Sequence, residues 1–142
     1  MYYDGQGTSK NNDEAFKFFQ KAVECGNQKA FAFLGIMYEN GEGVAKDYSR
    51  SVDCYKKAVE FETVGGGICE NAISRMYYEG GFGLSQDFKE CAHRLLKAAN
   101  AGNIDAMGNI GCFYTYPSEL FGEENPPEVK IMMYYFYLVI YT

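Results

Sequence analysis

Residues 37–60 read MYENGEGVAKDYSRSVDCYKKAVE, and residues 1–24 read MYYDGQGTSKNNDEAFKFFQKAVE. A shift of 36 lays one on the other, placing Tyr38 on Tyr2, Gly41 and Gly43 on Gly5 and Gly7, and Lys57, Ala58 and Val59 on Lys21, Ala22 and Val23. A third copy follows 40 residues later, with Gly81 and Gly83 on the glycine pair, Asp87 on Asp47, and Lys97 and Ala98 on Lys57 and Ala58. The shift grows because ETVGGGI lengthens the preceding turn. Gly102, Asn103 and Ala106 then match Gly26, Asn27 and Ala30, and Gly111 and Tyr114 match Gly35 and Tyr38. Registered copies at this period mark a chain assembled from small units that bury their apolar faces against their neighbours.

Each unit reads as two helices. In the first, a small residue is followed four later by a bulky one and four later again by tyrosine: Ala30, Leu34, Tyr38; Cys69, Ile73, Tyr77; Ala106, Ile110, Tyr114. Steps of four keep these on one helical face. The glycine pair should end that helix, since a residue without Cβ takes the left-handed conformation that closes a C-terminus. The second helix should start at Asn11, Asp47 or Asp87, with Glu14 and Glu90 three residues on as in a capping box. It then carries Ala15, Phe18, Phe19 and Ala22 in the first copy and Ser51, Cys54, Tyr55 and Ala58 in the second. The small residues let the paired helix approach closely while the aromatic pair fills the gap.

Taken in register, small-x-x-x-Leu-Gly-x-x-Tyr, then G-x-G, then Asp, then Ala-x-x-aromatic-aromatic-x-Lys-Ala resembles the Sel1-like repeat family, relatives of the tetratricopeptide repeats. The resemblance covers residues 1–115. It implies an all-α, right-handed solenoid of antiparallel helix pairs, about seven helices here, acting as a scaffold or adaptor with no chemistry and no cofactor. The chain departs from the pattern at both ends. Met1 to Tyr3 supply only the last turn of a first helix, which suggests a fragment or truncated product. Residues 116–127 replace the glycine turn with an irregular linker, and residues 128–142 stand as a degenerate apolar terminal helix.

Composition narrows the function. With 142 residues, 47% hydrophobic and 23% charged, the chain is of ordinary globular balance, and its net charge of −6 opposes a phosphate-neutralising surface, so nucleic acid is not an expected partner. Five cysteines without a C-x-x-C pair signal neither a disulfide framework nor a zinc ribbon. Together with the absence of an N-x-S/T acceptor and of a basic-then-apolar leader, they favour a cytoplasmic setting.

No catalytic constellation emerges. Gly41-Glu42-Gly43-Val44-Ala45-Lys46 follows a helix and not a strand and lacks a third glycine, so it reads as a helix stop rather than a phosphate loop. His93 has no carboxylate placed to orient it and reads as solvent-facing. Cys69, Cys91 and Cys54 align with Ala30, Ala15 and Phe18, as small or medium hydrophobes. A secreted, cysteine-rich branch of the family, proposed to act on penicillin-like ligands, joins successive helices by disulfides. Here Cys69 holds the later of those positions but Val59 the earlier, and no serine has a lysine three residues on. That hydrolase reading is a distant rival, whereas a regulatory fragment of a larger kinase-linked or membrane-linked protein is a nearer one.

A partner surface is expected where the copies differ. Opposite the repeated core positions of the first helices lie Ala32, Ile36 and Glu39, then Asn71, Arg75 and Tyr78, then Gly108, Cys112 and Thr115. Residues not needed for stacking can specialise, and first helices of such solenoids line the concave side. This ladder is the candidate groove for a protein or peptide, with Arg75 and Tyr78 as anchors. The eleven apolar residues from Ile131 to Tyr141 are too few for the ~20 of a membrane-spanning helix. They are expected to drive self-association through residues 131–142 or to continue into a further repeat.

Overall fold

A computed structural model describes residues 5–61, 65 and 67–115, and the side chains of 11–61, 65 and 67–112. Six helices order these residues: α1 (Gly5–Glu24), α2 (Ala30–Asn40), α3 (Tyr48–Glu60), α4 (Ile68–Glu79), α5 (Phe88–Asn100) and α6 (Ile104–Thr115). No strand occurs among them, only an isolated bridge between Gly81 and Leu84. The expected linker and seventh helix, residues 116–142, lie outside the described residues. The helices fall into two compact units, α1, α2 and α3 with Gly81–Leu84 in one, and α4, α5 and α6 in the other.

In the first unit α2 packs between α1 and α3. At one end of the α2/α3 pair the Asp47 amide donates to the Tyr38 carbonyl at 2.9 Å. At the other, Phe31 stacks on Phe61 at 6.1 Å and Lys57 lies over the Phe31 ring at 5.1 Å, so the two helices run antiparallel. They also run close. A Cβ on Gly35 would stand 2.8 Å from Cδ1 and Cε1 of the Tyr55 ring, so only glycine admits that ring. The Ser51 hydroxyl donates to the Gly35 carbonyl at 2.7 Å, and the Tyr55 hydroxyl donates to Glu39 Oε2 at 2.7 Å. Buried polar groups are thereby satisfied across the contact. On the other side of α2, Tyr38 meets Phe16 edge-on at 5.5 Å and Phe33 stacks on Phe19 at 4.8 Å.

The turn between α2 and α3 follows the sequence reading. Gly41 is left-handed (φ 71°) and its amide donates to the Met37 carbonyl at 2.9 Å. Gly43 is also left-handed (φ 71°), and a Cβ there would strike the Asn12 backbone of α1, so this glycine serves a close approach as well as a turn. Asp47 is extended and its carboxylate accepts from the Arg50 amide at 3.0 Å, an N-cap that satisfies one orphan donor.

The second unit repeats the arrangement. The Asp87 amide donates to the Tyr77 carbonyl at 2.9 Å at one end of the α4/α5 pair, while Gly67 lies against the Ala98 backbone at the other. Asp87 caps α5 through the Glu90 amide at 3.0 Å. Ile73, Met76, Ala92, Ala98 and Ala106 have no accessible surface. Asn103 accepts from the Ala106 amide at 2.9 Å at the start of α6, much as Asn27 accepts from the Lys29 amide at 3.1 Å before α2.

Three expectations are corrected. Asn11 caps nothing, and Gly5 and Gly7 stop nothing, because α1 runs unbroken from Gly5. The Gly41 stop works by bonding back four residues to the helix it closes, whereas Gly5 and Gly7 are themselves helical residues of α1. The aromatic pair does not act as a pair: Phe18 is 66% exposed, and Cys54, its equivalent, is half-buried, so only Phe19 and Tyr55 pack with the small residues that flank them. The capping box at Asp87 is half made, since the Asp87 amide is already taken by Tyr77 and the Glu90 carboxylate turns to Arg94 Nε at 3.4 Å.

Candidate interaction surface

The expected ladder separates into residues that reach solvent and residues that serve the fold. On α2, Ile36 is 42% exposed beside Phe33 at 50%, whereas Ala32 is buried at 8% and Glu39 is half-buried as the acceptor of the Tyr55 hydroxyl. Ala32 therefore offers little accessible surface, because α2 is buried over a wider arc than one row of residues. On α4, Arg75 is exposed. Asn71 is half-buried and its carbonyl accepts the Ser74 hydroxyl at 2.7 Å. Tyr78 is half-buried against the edge of Phe88 at 5.6 Å, its carbonyl accepts from Gln86 at 2.8 Å, and burial beside Cys91 pushes its phenol up. On α6, Gly108 and Cys112 are exposed, and the Thr115 side chain lies outside the described residues. Among the described side chains of the ladder, Ile36 in the first unit and Arg75 and Cys112 in the second are thus exposed.

The cysteines and the histidine sit as their register implies. His93 is exposed. Cys69 and Cys91 are buried and Cys54 is half-buried; desolvation pushes their thiols up to about 11, 12 and 11 respectively, which suppresses the nucleophilic thiolate. All five cysteines are free. Among the described residues no cluster of His, Cys, Asp and Glu is arranged to hold a metal ion, and no helix is long and apolar enough to cross a membrane.

Two features escaped the sequence reading. Glu70 of α4 and Arg94 of α5 form an ion pair at 3.1 Å, with side chains 9% and 16% exposed. In the preceding copy Phe31 and Cys54 hold these positions, so only comparison of the copies as pairs could have flagged it. In the first unit Phe82 is the one non-glycine residue at positive φ (50°) among those described. The tight turn from Gly81 to Leu84, closed by amide bonds of 2.8 and 3.0 Å, holds its ring 5.0 Å from Tyr48, with the Lys46 ammonium 4.5 Å above it. Glu42 occupies the matching place in the other turn, and an aromatic where its counterpart is acidic was the available signal.

Residues 1–27, 29–60 and 68–103 match the family model described as Sel1 repeat. The chain is 34% identical over 95 residues to an uncharacterized Sel1-like repeat-containing protein of Schizosaccharomyces pombe, covering 67% of this chain and 14% of that protein. It is 30% identical over 125 residues to the eukaryotic elongation factor 2 kinase of Caenorhabditis elegans, covering 72% of this chain and 16% of the kinase. The chain thus spans about a seventh of the length of these relatives. Among solved structures, the Sel1 repeat protein of Oxalobacter formigenes superposes with a TM-score of 0.60 at 28% identity, over 88% of this chain and 48% of that one.

Proposed function

The chain belongs to the Sel1 repeat family, and from that premise we propose that it binds a protein or peptide partner as a non-catalytic scaffold or adaptor, through the outward positions of its first-type helices. The observation that carries this reading is a contrast between copies. Core positions keep their character, with Ala30, Cys69 and Ala106 all at 3% or below, while the outward positions change from Ile36 to Arg75 to Cys112. A residue that stacking does not constrain is free to specify a ligand. Aliphatic and guanidinium groups offer different contacts, and Arg is enriched among residues that dominate binding. Ile36→Glu with Arg75→Glu should weaken partner capture at least tenfold while helical content and melting stay as in wild type. Undiminished capture by the double variant would place the surface elsewhere.

A second reading is favoured by the relatives' length and by the kinase among them: these repeats serve as a regulatory segment of a larger polypeptide. Immunoblotting of native tissue distinguishes the two, because a band near 16.0 kDa supports a free adaptor and a band several times larger supports the regulatory segment.

A further inference from the structure

We propose that Lys46 and Phe82, in the first unit, form a docking point for an acidic peptide in which a carboxylate side chain stands next to an aromatic one. The carboxylate meets the Lys46 ammonium, and the aromatic ring packs on the open part of Phe82. That ammonium stands 4.5 Å over the Phe82 ring and 5.2 Å over the Tyr48 ring. Among the described residues no carboxylate lies within ion-pair distance of it, although acidic residues outnumber basic ones by 19 to 13. Its neighbour Asp47 is already engaged, accepting the Arg50 amide at 3.0 Å and pairing with Arg50 Nε at 3.6 Å. The two rings thus hold the cation in place without neutralising it, and because Lys46 is exposed its ammonium can still donate to an acceptor arriving from solvent.

The backbone of the turn does not require the ring. The Phe82 carbonyl accepts the Tyr48 amide at 2.9 Å, satisfying an orphan donor at the start of α3. Glycine would fill that role at φ 50° without steric cost, as Gly81 and Gly83 do on either side at 90° and 84°, whereas a bulky side chain rarely adopts this conformation. Packing on Tyr48 at 5.0 Å uses only part of the ring, which is 54% exposed. Backbone strain of this kind concentrates where a side chain is held for recognition. The earlier copy offers a contrast: the shift of 36 lays Lys10 on Lys46, and Glu42 stands at the place of Phe82, so lysine is matched there with an acid. Here the turn supplies a ring instead, and the answering carboxylate has to come from a partner. The site shares no residue with the outward ladder of the first-type helices and is independent of that reading.

The probe is the capped peptide GEFEFEG, titrated into the isotope-labelled full chain and followed by the amide resonances of the protein. Saturable shifts are expected at Lys46, Tyr48 and residues 81–84, with a dissociation constant below ~1 mM at low salt and at least threefold weaker binding at about 0.5 M salt. Peptides GQFQFQG and GEGEGEG, which lack the charge and the rings respectively, should each bind at least threefold more weakly. Lys46→Gln should do the same with an unchanged thermal melt, and so should Phe82→Gly, in which the Tyr48 amide resonance reports whether the turn still caps α3. Equal binding of the glutamine peptide, indifference to Lys46→Gln, shifts confined to other residues, or no saturation up to ~1 mM overturns the assignment.

Discussion

Removing Arg94 should cost more than removing both members of its ion pair. Glu70 is 9% exposed at its side chain and its carboxylate is 3.1 Å from Arg94 Nη1, so Arg94→Leu strands a nearly dry carboxylate. Breaking a buried pair from one side costs about 3–5 kcal/mol, and the residual exposure here places the expectation near the lower end, ~3 kcal/mol. Glu70→Leu should cost less, ~1–2 kcal/mol, because Arg94 keeps Glu90 at 3.4 Å and its head is 16% exposed. The double replacement Glu70→Leu with Arg94→Leu should come within ~1 kcal/mol of wild type, since apolar substitution of a buried pair is often neutral. The preceding copy already has an apolar pair, Phe31 and Cys54, in these places. Denaturant unfolding of the four proteins gives the coupling energy directly, and ~3 kcal/mol should also lower the melting temperature by about 10 °C at this size. If the single costs simply add in the double variant, the pair is not a closed electrostatic unit and the reasoning fails.

Ala58 has no accessible surface, so Ala58→Leu should overpack the α2/α3 contact by roughly 1–3 kcal/mol, read as a lower denaturation midpoint. Gly35→Ala should destabilise by a similar ~1–3 kcal/mol, because the Tyr55 ring is held by Glu39 and cannot retreat; adding Tyr55→Leu should restore part of the loss, as the next copy implies by carrying Ser74 and Leu95 in these places. With burial raising the Cys91 thiol to about 12 and those of Cys54 and Cys69 to about 11, iodoacetamide at pH 8 should label the exposed Cys25 and Cys112 in the native protein and the other three only after unfolding, by peptide mass mapping. Deleting residues 131–142 should raise solubility and favour a monomer by light scattering; a deletion less soluble than a monomeric full chain would show that this apolar segment is buried within its own fold.

What could be read from the sequence was whatever depends on near neighbours. Asp47 and Asp87 cap their helices three residues ahead, and Gly41 closes α2 four residues behind, so spacing alone carries the information. Asn11, equally suited as a cap, failed because a cap needs a helix boundary, and α1 has already begun at Gly5. Choosing between Phe18 and Phe19 required knowing the centre of the buried arc, which adjacent aromatics do not reveal. The Glu70 and Arg94 pair joins residues 24 apart on different helices, each unremarkable alone as a surface charge. The partner ladder was half legible for a related reason. Variability among copies marks freedom from the repeated core, but Ala32 shows that freedom from one core row is not exposure, and Tyr78 shows that a varied position can still pack, here on Phe88.

The central claim, that partner binding resides on the outward positions of the first-type helices, is tested most directly by two charge-altering double variants set against one captured partner. One carries Ile36→Glu with Arg75→Glu, and the other carries Asp53→Lys with His93→Glu on exposed positions of α3 and α5. The dissociation constant should rise at least tenfold for the first and change less than threefold for the second; the opposite order would assign binding to the second-type helices and contradict the account.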